Sequence, residues 1–236
     1  MKSQAATEKL QTFIKQFKIS LVVVQEPFVK EEKIDFYKQK LGMQECFVNT
    51  SNKIWIFWSS EVKCDMFAND AQMLTCKVCV NPADSGTFVS FVYAKTRSAG
   101  RIHLWEHIRA FSSSMVCGDF NCILDPNEKI GGVPHKLSKS LEIIECLADC
   151  GLSDMGYNGS LYTWCNERKE KEIIWKRVDR MVANDELGAK FTSISVQHLA
   201  RVSSDHCPLF ITLKDYPSNT IRYFKFLNFW VEQEGF

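Results

Sequence analysis

The chain has 236 residues, 45% hydrophobic and 24% charged, with a formal net charge of +1. That length supports one large core or two small ones, and seventeen Phe and six Trp exclude a disordered chain. Near-neutrality gives no strong basic signature of a nucleic-acid binder, though a local patch can sit on a neutral whole; no apolar run approaches a membrane span, and the N-terminal MKSQAATEKLQTF lacks the apolar stretch of a signal peptide.

Residues 5–18 read as an amphipathic helix, with Leu10, Phe13, Ile14 and Phe17 at i, i+3, i+4 and i+7. Residues 21–24 are a β-branched run suited to a strand buried on both faces, ended by Glu26 and Pro27. A second helix is predicted at 31–41, with Ile34, Tyr37 and Leu41 on one face. Strands at 46–48 and 54–58 flank the polar segment 49–53, a hairpin signal, and 61–67, 72–80 and 87–93 continue as strands. A helix over 99–111 precedes a strand at 114–117 that runs into Gly118-Asp119-Phe120-Asn121. Residues 125–140 are polar and rich in Gly, Pro and Ser, a long surface loop rather than a domain boundary. Residues 141–150 are helical, with Gly151 as the stop. Short strands follow at 160–165, 173–182 and 194–199, a small helix near 185–191, and a last strand at 209–213. Many strands with interspersed helices indicate a layered α/β domain.

Ten cysteines without a secretory signal read as reduced and mostly core-filling. Cys76 and Cys79 have zinc-ligand spacing, but no second close pair answers them, and they lie in a segment that reads as a strand.

Several strands end in polar residues that a core does not need. Glu26, Tyr93, Asp119 with Asn121, Thr163, Asp179, and Ser204-Asp205-His206 all stand at such ends. In open α/β sheets, loops converge on one rim and sites gather there. Together these groups suit phosphodiester hydrolysis. Glu26 and one or two aspartates would hold Mg2+, Asp119 would handle the attacking water, and Asn121 would orient that aspartate or donate to a phosphate oxygen. His206, fixed by Asp179, would act on the scissile phosphate, and Tyr93 would donate to it. Singly, each residue has a plainer role: Glu26 as a turn acid, Asp119 as an Asx turn, Tyr93 and Thr163 as strand formers, Asp179 as a surface partner of Arg177 and Arg180.

The ordered set VVVQEPF, FVYAKT, VCGDFNCIL with EKIGG behind it, GSLYTWCN, WKRVDRMVAN and VSSDHCPLFITL resembles the endonuclease/exonuclease/phosphatase superfamily. More narrowly, it is similar to the apurinic-site-like endonuclease domain of plant LINE-type (non-LTR) retrotransposons, from about residue 5 to the end. The resemblance implies an α/β, DNase I-like four-layer fold, a two-sheet β-sandwich flanked by helices. It implies one Mg2+-dependent site, with Mn2+ as a substitute. Catalytic residues would be Asp119, Asn121, His206, Asp179 and Tyr93; metal ligands Glu26 and Asp205; and substrate-side residues Thr163 and Ser204. The implied activity is nicking of one DNA strand in the nucleus, leaving a 3′-hydroxyl that primes reverse transcription; no membrane and no oligomer are implied. Residues 1–214 would be the nuclease domain, and 215–236 a tail leading toward a reverse transcriptase. The family opens with a strand carrying a Trp-Asn-x-Arg-Gly type motif. This chain begins beyond that point at Met1-Lys2-Ser3-Gln4, so a missing first strand and weakened activity are expected. The family's asparagine shortly after the YA motif is also replaced, by Lys95-Thr96-Arg97. The alternatives are a non-catalytic remnant or nucleic-acid-binding module, and a same-fold phosphatase acting on a small phosphorylated substrate.

Overall fold

The computed structural model describes residues 4–80, 85–111, 113–201 and 204–215. Of the expected tail 215–236, Asp215 is the last residue of the final strand and 216–236 lie outside the described residues. The chain begins with helix α1 (Gln4–Phe17), strand β1 (Leu21–Gln25) and helix α2 (Ile34–Leu41), which stops at Gly42 in the left-handed conformation. Five strands follow: β2 (Glu45–Val48), β3 (Ile54–Trp58), β4 (Lys63–Asn69), β5 (Met73–Cys79) and β6 (Thr87–Tyr93). Helix α3 (Ile102–Phe111) leads to β7 (Met115–Asp119), the two-residue β8 (Lys129–Ile130) and helix α4 (Leu141–Asp149). Four short strands come next, β9 (Ser153–Asp154), β10 (Asn158–Gly159), β11 (Trp164–Cys165) and β12 (Trp175–Lys176). The chain closes with β13 (Asp179–Ala183), α5 (Asp185–Lys190), β14 (Phe191–His198) and β15 (Leu209–Asp215).

A six-stranded sheet has the order β4-β5-β6-β7-β13-β9, with β6 and β7 parallel and its other pairs antiparallel. Facing it are two three-stranded sheets, β1-β3-β2 and β10-β14-β15. The period-2 alternation of strands decides the layers. From β3, Ile54, Ile56 and Trp58 enter the core shared with Cys117, Met181 and Val196, while Trp55 and Phe57 pack toward α1 and α2. From β7 and β13, Met115, Cys117, Met181 and Ala183 face the inter-sheet core. Val116 and Val182 face the opposite way, toward Leu104, Trp105 and Ile108 of α3 and Ile143 and Leu147 of α4. The result is helix, sheet, sheet, helix: a DNase I-like four-layer α/β sandwich, as expected.

Three sequence expectations change. The run at 21–24 was assigned a strand buried on both faces. In the fold β1 pairs only with β3 among the described residues, and only Val22 in it is buried; within that sheet it is β3 that is buried on both faces. The segment 173–182 is not one strand: β12 joins a small sheet with β8 and β11, while β13 joins the large one. The loop 125–140 contributes β8, which pairs with β12. The cysteine expectation agrees with the fold: Cys76 and Cys79 lie three apart on β5, so their side chains leave opposite faces of the strand, and Cys76 is fully buried.

Gly118 has φ 133° and sits where β6 and the Gln25 side chain close on β7. An added Cβ would overlap the Val92 carbonyl oxygen and the Gln25 amide. Gly118→Ala is therefore expected to destabilise the fold by more than about 1 kcal/mol, read as a lowered denaturant midpoint.

Candidate active site

The register of the large sheet builds the site. Tyr93 pairs with Asp119, and Asp119 with Asp179, so three adjacent strands present one polar residue each in a single row. By alternation all three share the face of Phe91, Cys117 and Met181, at the mouth between the sheets. Asp119 is 2% exposed and Asp179 5%.

Asn121 holds Asp119 from beyond the strand end. Its backbone N–H donates to Asp119 Oδ1 at 2.8 Å, and its Nδ2 donates to Asp119 Oδ2 and to the Ala94 carbonyl, both at 2.8 Å. Asn121 is left-handed (φ 49°), a conformation asparagine tolerates better than most residues. Burial, and then the charge of Asp179, raise the Asp119 pKa to about 8, while His206 and the Asn121 N–H pull it down.

His206 Nδ1 meets Asp179 Oδ2 at 2.9 Å. Burial acts to lower the His206 pKa; the hydrogen bond and charge of Asp179, with Asp119 and Asp205 behind it, outweigh that and raise it to about 9. Asp179 is thus no surface partner of its neighbouring arginines. Ligand atoms of Asp119, Asp179 and His206 all lie within 4.8 Å of one another.

The resemblance places Thr163 on the substrate side. It is fully buried, and its Oγ1 accepts from the backbone N–H groups of Val178 and Asp179, each at 3.0 Å. Its carbonyl accepts from Cys207 N at 2.7 Å. The side chain therefore stands behind Asp179 and ties the start of β13 to the His206 segment instead of facing solvent. Ser204 is exposed, and its Oγ accepts from His206 N at 3.1 Å.

Glu26 and Asp205, the expected metal ligands, flank the cluster; the charge of Glu26 acts on Tyr93 and Asp119, and that of Asp205 on Tyr93 and His206. Burial, then a hydrogen bond to Glu26, keeps the Tyr93 hydroxyl protonated far above neutral pH. Glu26 Oε1 also meets Lys53 Nζ at 3.1 Å, and Asp205 Oδ2 accepts from Trp164 Nε1 at 3.0 Å. The donor set is carboxylate oxygen, which suits a hard cation. Asp119, Asp179 and His206 bring two carboxylates and an imidazole within 4.8 Å of one another, with Glu26 and Asp205 close by, so the residues fit a divalent ion.

Sequence reasoning missed two parts of the site. Lys53 reaches Glu26 only because the β2–β3 hairpin turns it back. The second part is a buried ion quartet behind β13. Arg177 meets Glu128 at 2.8 Å and Asp154 at 2.7 Å, and Arg180 meets Glu128 at 2.8 Å and Asp154 at 2.9 Å. The visible signal was the pair of arginines three apart around Asp179; their partners lie far away in sequence. On the other side of Asn121 opens a cavity of about 550 Å3 with Arg101, Lys129, Lys139, Lys176 and His135 on its walls. Burial and then Lys129 lower the Lys176 pKa, and burial and then three lysines lower that of His135; against these basic side chains the cavity wall has one acid, Glu142, 3.9 Å from Arg101.

No protein-family model and no curated protein matches the chain. Solved structures do. The endonuclease domain of TRAS1, a telomere-specific non-LTR retrotransposon, matches with TM-score 0.68 and 15% identity over 89% of this chain and 93% of that one. The 3′-5′ exonuclease NExo from Neisseria meningitidis gives TM-score 0.64 and 18% identity over 89% and 95%. An AP endonuclease from Archaeoglobus fulgidus gives TM-score 0.61 and 15% identity over 89% and 95%. The layered sandwich is thus the DNase I-like fold that these nucleases share, carried by a chain of low sequence identity to each.

Proposed function

We propose that this chain is a metal-dependent DNA endonuclease of retrotransposon origin, which nicks one strand by hydrolysing a phosphodiester. The observation that carries the reading is the meeting of Asp119, Asp179 and His206 within 4.8 Å, with Glu26, Tyr93 and Asn121 around them. Mg2+, held by Glu26 and Asp205 and replaceable by Mn2+, would neutralise phosphate charge.

The chain's own groups then divide the work. Asp119, with both oxygens oriented by Asn121, accepts in its carboxylate form the proton of the attacking water. His206 uses Nδ1 on Asp179, which leaves Nε2 to donate to a phosphate oxygen; as an imidazolium it also offsets the charge that develops there. The Tyr93 hydroxyl, held neutral, is a further donor. Water adds to phosphorus and the bond to the 3′ oxygen breaks; that oxygen takes up a proton from solvent, giving a 3′-hydroxyl and a 5′-phosphate.

The retrotransposon assignment rests on the ordered motifs, and the fold shared with the TRAS1 endonuclease domain is consistent with it. In that setting the chain would act in the nucleus beside a reverse transcriptase, toward which 215–236 would lead, and the ordered motifs resemble those of plant LINE elements.

The test is conversion of supercoiled plasmid to nicked circles with Mg2+ and with EDTA. Mg2+-dependent nicking supports the reading; DNA binding without cleavage in Mg2+ or Mn2+ would leave a binding module, and turnover of phosphoinositides but not plasmid would favour the phosphatase. The basic cavity adds a separate expectation. With Lys129→Glu and Lys176→Glu combined, the slope of log affinity for duplex DNA against log salt should shrink by about 1–2, since each lysine on a phosphate releases about one counterion.

A further inference from the structure

Just beyond Glu26 the chain makes a hook that hydrolysis itself does not use. Glu26 (φ 45°) and Phe28 (φ 53°) lie in the left-handed region on either side of Pro27. Non-glycine residues seldom adopt this conformation, and it persists where the surroundings hold it. Here they do: Glu26 N donates to the Lys53 carbonyl at 2.9 Å, and Asn52 Nδ2 donates to the Val29 carbonyl at 3.0 Å. Asn52 is itself left-handed, and its Oδ1 accepts from Trp55 Nε1 at 2.6 Å. The hook is pinned, yet what it displays is an aromatic ring 65% exposed.

The surroundings of that ring are polar. Phe28 borders a groove of about 310 Å3 whose other walls are Val29, Lys30, Ser51, Asn52 and Lys53. Lys53 Nζ lies 5.7 Å from the Phe28 ring centroid and 5.9 Å from that of Tyr93, while pairing with Glu26. One ammonium therefore links the exposed ring to the row that holds Asp119. A protein partner would call for apolar area around the ring. A flat aromatic face beside cations and small hydrogen-bonding groups matches a nucleobase with its phosphates.

We propose that Phe28 is a stacking platform for a nucleobase of the DNA strand next to the scissile phosphate, with Lys30 on the adjoining backbone. The inference rests on the nuclease reading for its substrate and adds the subsite that grips it. Phe28 touches substrate without taking part in bond breaking, so its loss should appear in KM.

Two measurements test it on the full chain. In plasmid nicking, Phe28→Leu should raise KM about five- to hundred-fold with kcat within about two-fold, and Phe28→Trp should retain the wild-type KM. In binding, the chain carrying His206→Ala should quench the fluorescence of a single-stranded oligonucleotide containing 2-aminopurine, and adding Phe28→Leu should abolish the quench. Phe28 is exposed, so an unchanged thermal midpoint is expected for both variants. A KM and a quench indifferent to Phe28→Leu would overturn the proposal, as would equal losses in the Leu and Trp variants, or no quench at all. Nicking that ignores Phe28 removes this subsite and leaves the nuclease; Phe28-dependent quenching in a chain that never nicks keeps the subsite and removes the nuclease.

Discussion

Asp119→Ala is expected to slow plasmid nicking by roughly 10²–10⁴-fold, the range for losing a positioned general base, with little change in DNA affinity. Asp179→Asn should act through His206 and leave a different signature. In the wild-type chain the imidazole is raised to about 9, so it is charged at neutral pH. Removing the Asp179 charge leaves burial as the leading influence, which lowers a histidine pKa. The NMR titration midpoint of His206 in metal-free protein should therefore fall from about 9 to the ordinary histidine range or below. Nicking by Asp179→Asn should fade at a correspondingly lower pH. The stability effect has a defined sign: a group whose pKa is raised by folding stabilises fully below its unfolded value, and that contribution is lost as pH rises through about 9. Asp179→Asn should accordingly cost stability at pH 6 and much less at pH 10. An unmoved His206 midpoint would refute the pairing.

The second large effect concerns the quartet of Glu128, Asp154, Arg177 and Arg180. Glu128→Ala strips a carboxylate from two guanidiniums whose side chains are 7% and 0% exposed. Breaking a buried pair from one side leaves an uncompensated charge, and a loss of about 3–5 kcal/mol is expected in denaturant unfolding. A double replacement by apolar residues of similar volume, such as Glu128→Met with Arg180→Met, should cost less than the single one if the penalty is the orphaned charge. The pH dependence follows from the carboxylates. For both Glu128 and Asp154, burial alone would raise the pKa; the arginine hydrogen bonds and charges outweigh it and hold it below the usual range. Groups with depressed folded values stabilise above their unfolded values, and the contribution is lost as pH falls through the folded ones. The loss of stability on acidification should thus be shallower in Glu128→Ala than in the wild-type chain.

The quartet also explains why part of the site was hard to see in the sequence. Arg177 and Arg180 bracket Asp179, so the simplest local pairing was with that aspartate. The fold gives Asp179 to His206, 27 residues on, and gives the arginines to Glu128 and Asp154 instead. Nothing in strand periodicity distinguishes those partners. The hairpin between β2 and β3 was visible, but not that its Lys53 would reach back to Glu26. Thr163 had strand propensity and a place in a motif, while its hydrogen bonds to the Val178 and Asp179 amides depend on two segments meeting.

By itself the sequence determined the elements and their faces, because apolar alternation and turn residues act over a few positions. It placed α1, the β2–β3 hairpin, α3 and the strand entering Gly118-Asp119, and it singled out Tyr93, Asp119, Asn121, Asp179 and His206 as polar residues at strand ends. Only the tertiary structure decided how these ends align. The register that sets Tyr93, Asp119 and Asp179 in one row is fixed by inter-strand hydrogen bonds and by the shared face of Phe91, Cys117 and Met181. It also decided that, in the β1-β3-β2 sheet, β3 and not β1 is buried on both faces, and that a left-handed hook at Glu26-Pro27-Phe28 is held open beside the row. Such outcomes depend on which distant segments compete for the same backbone partners and the same buried space, a choice that no local pattern encodes.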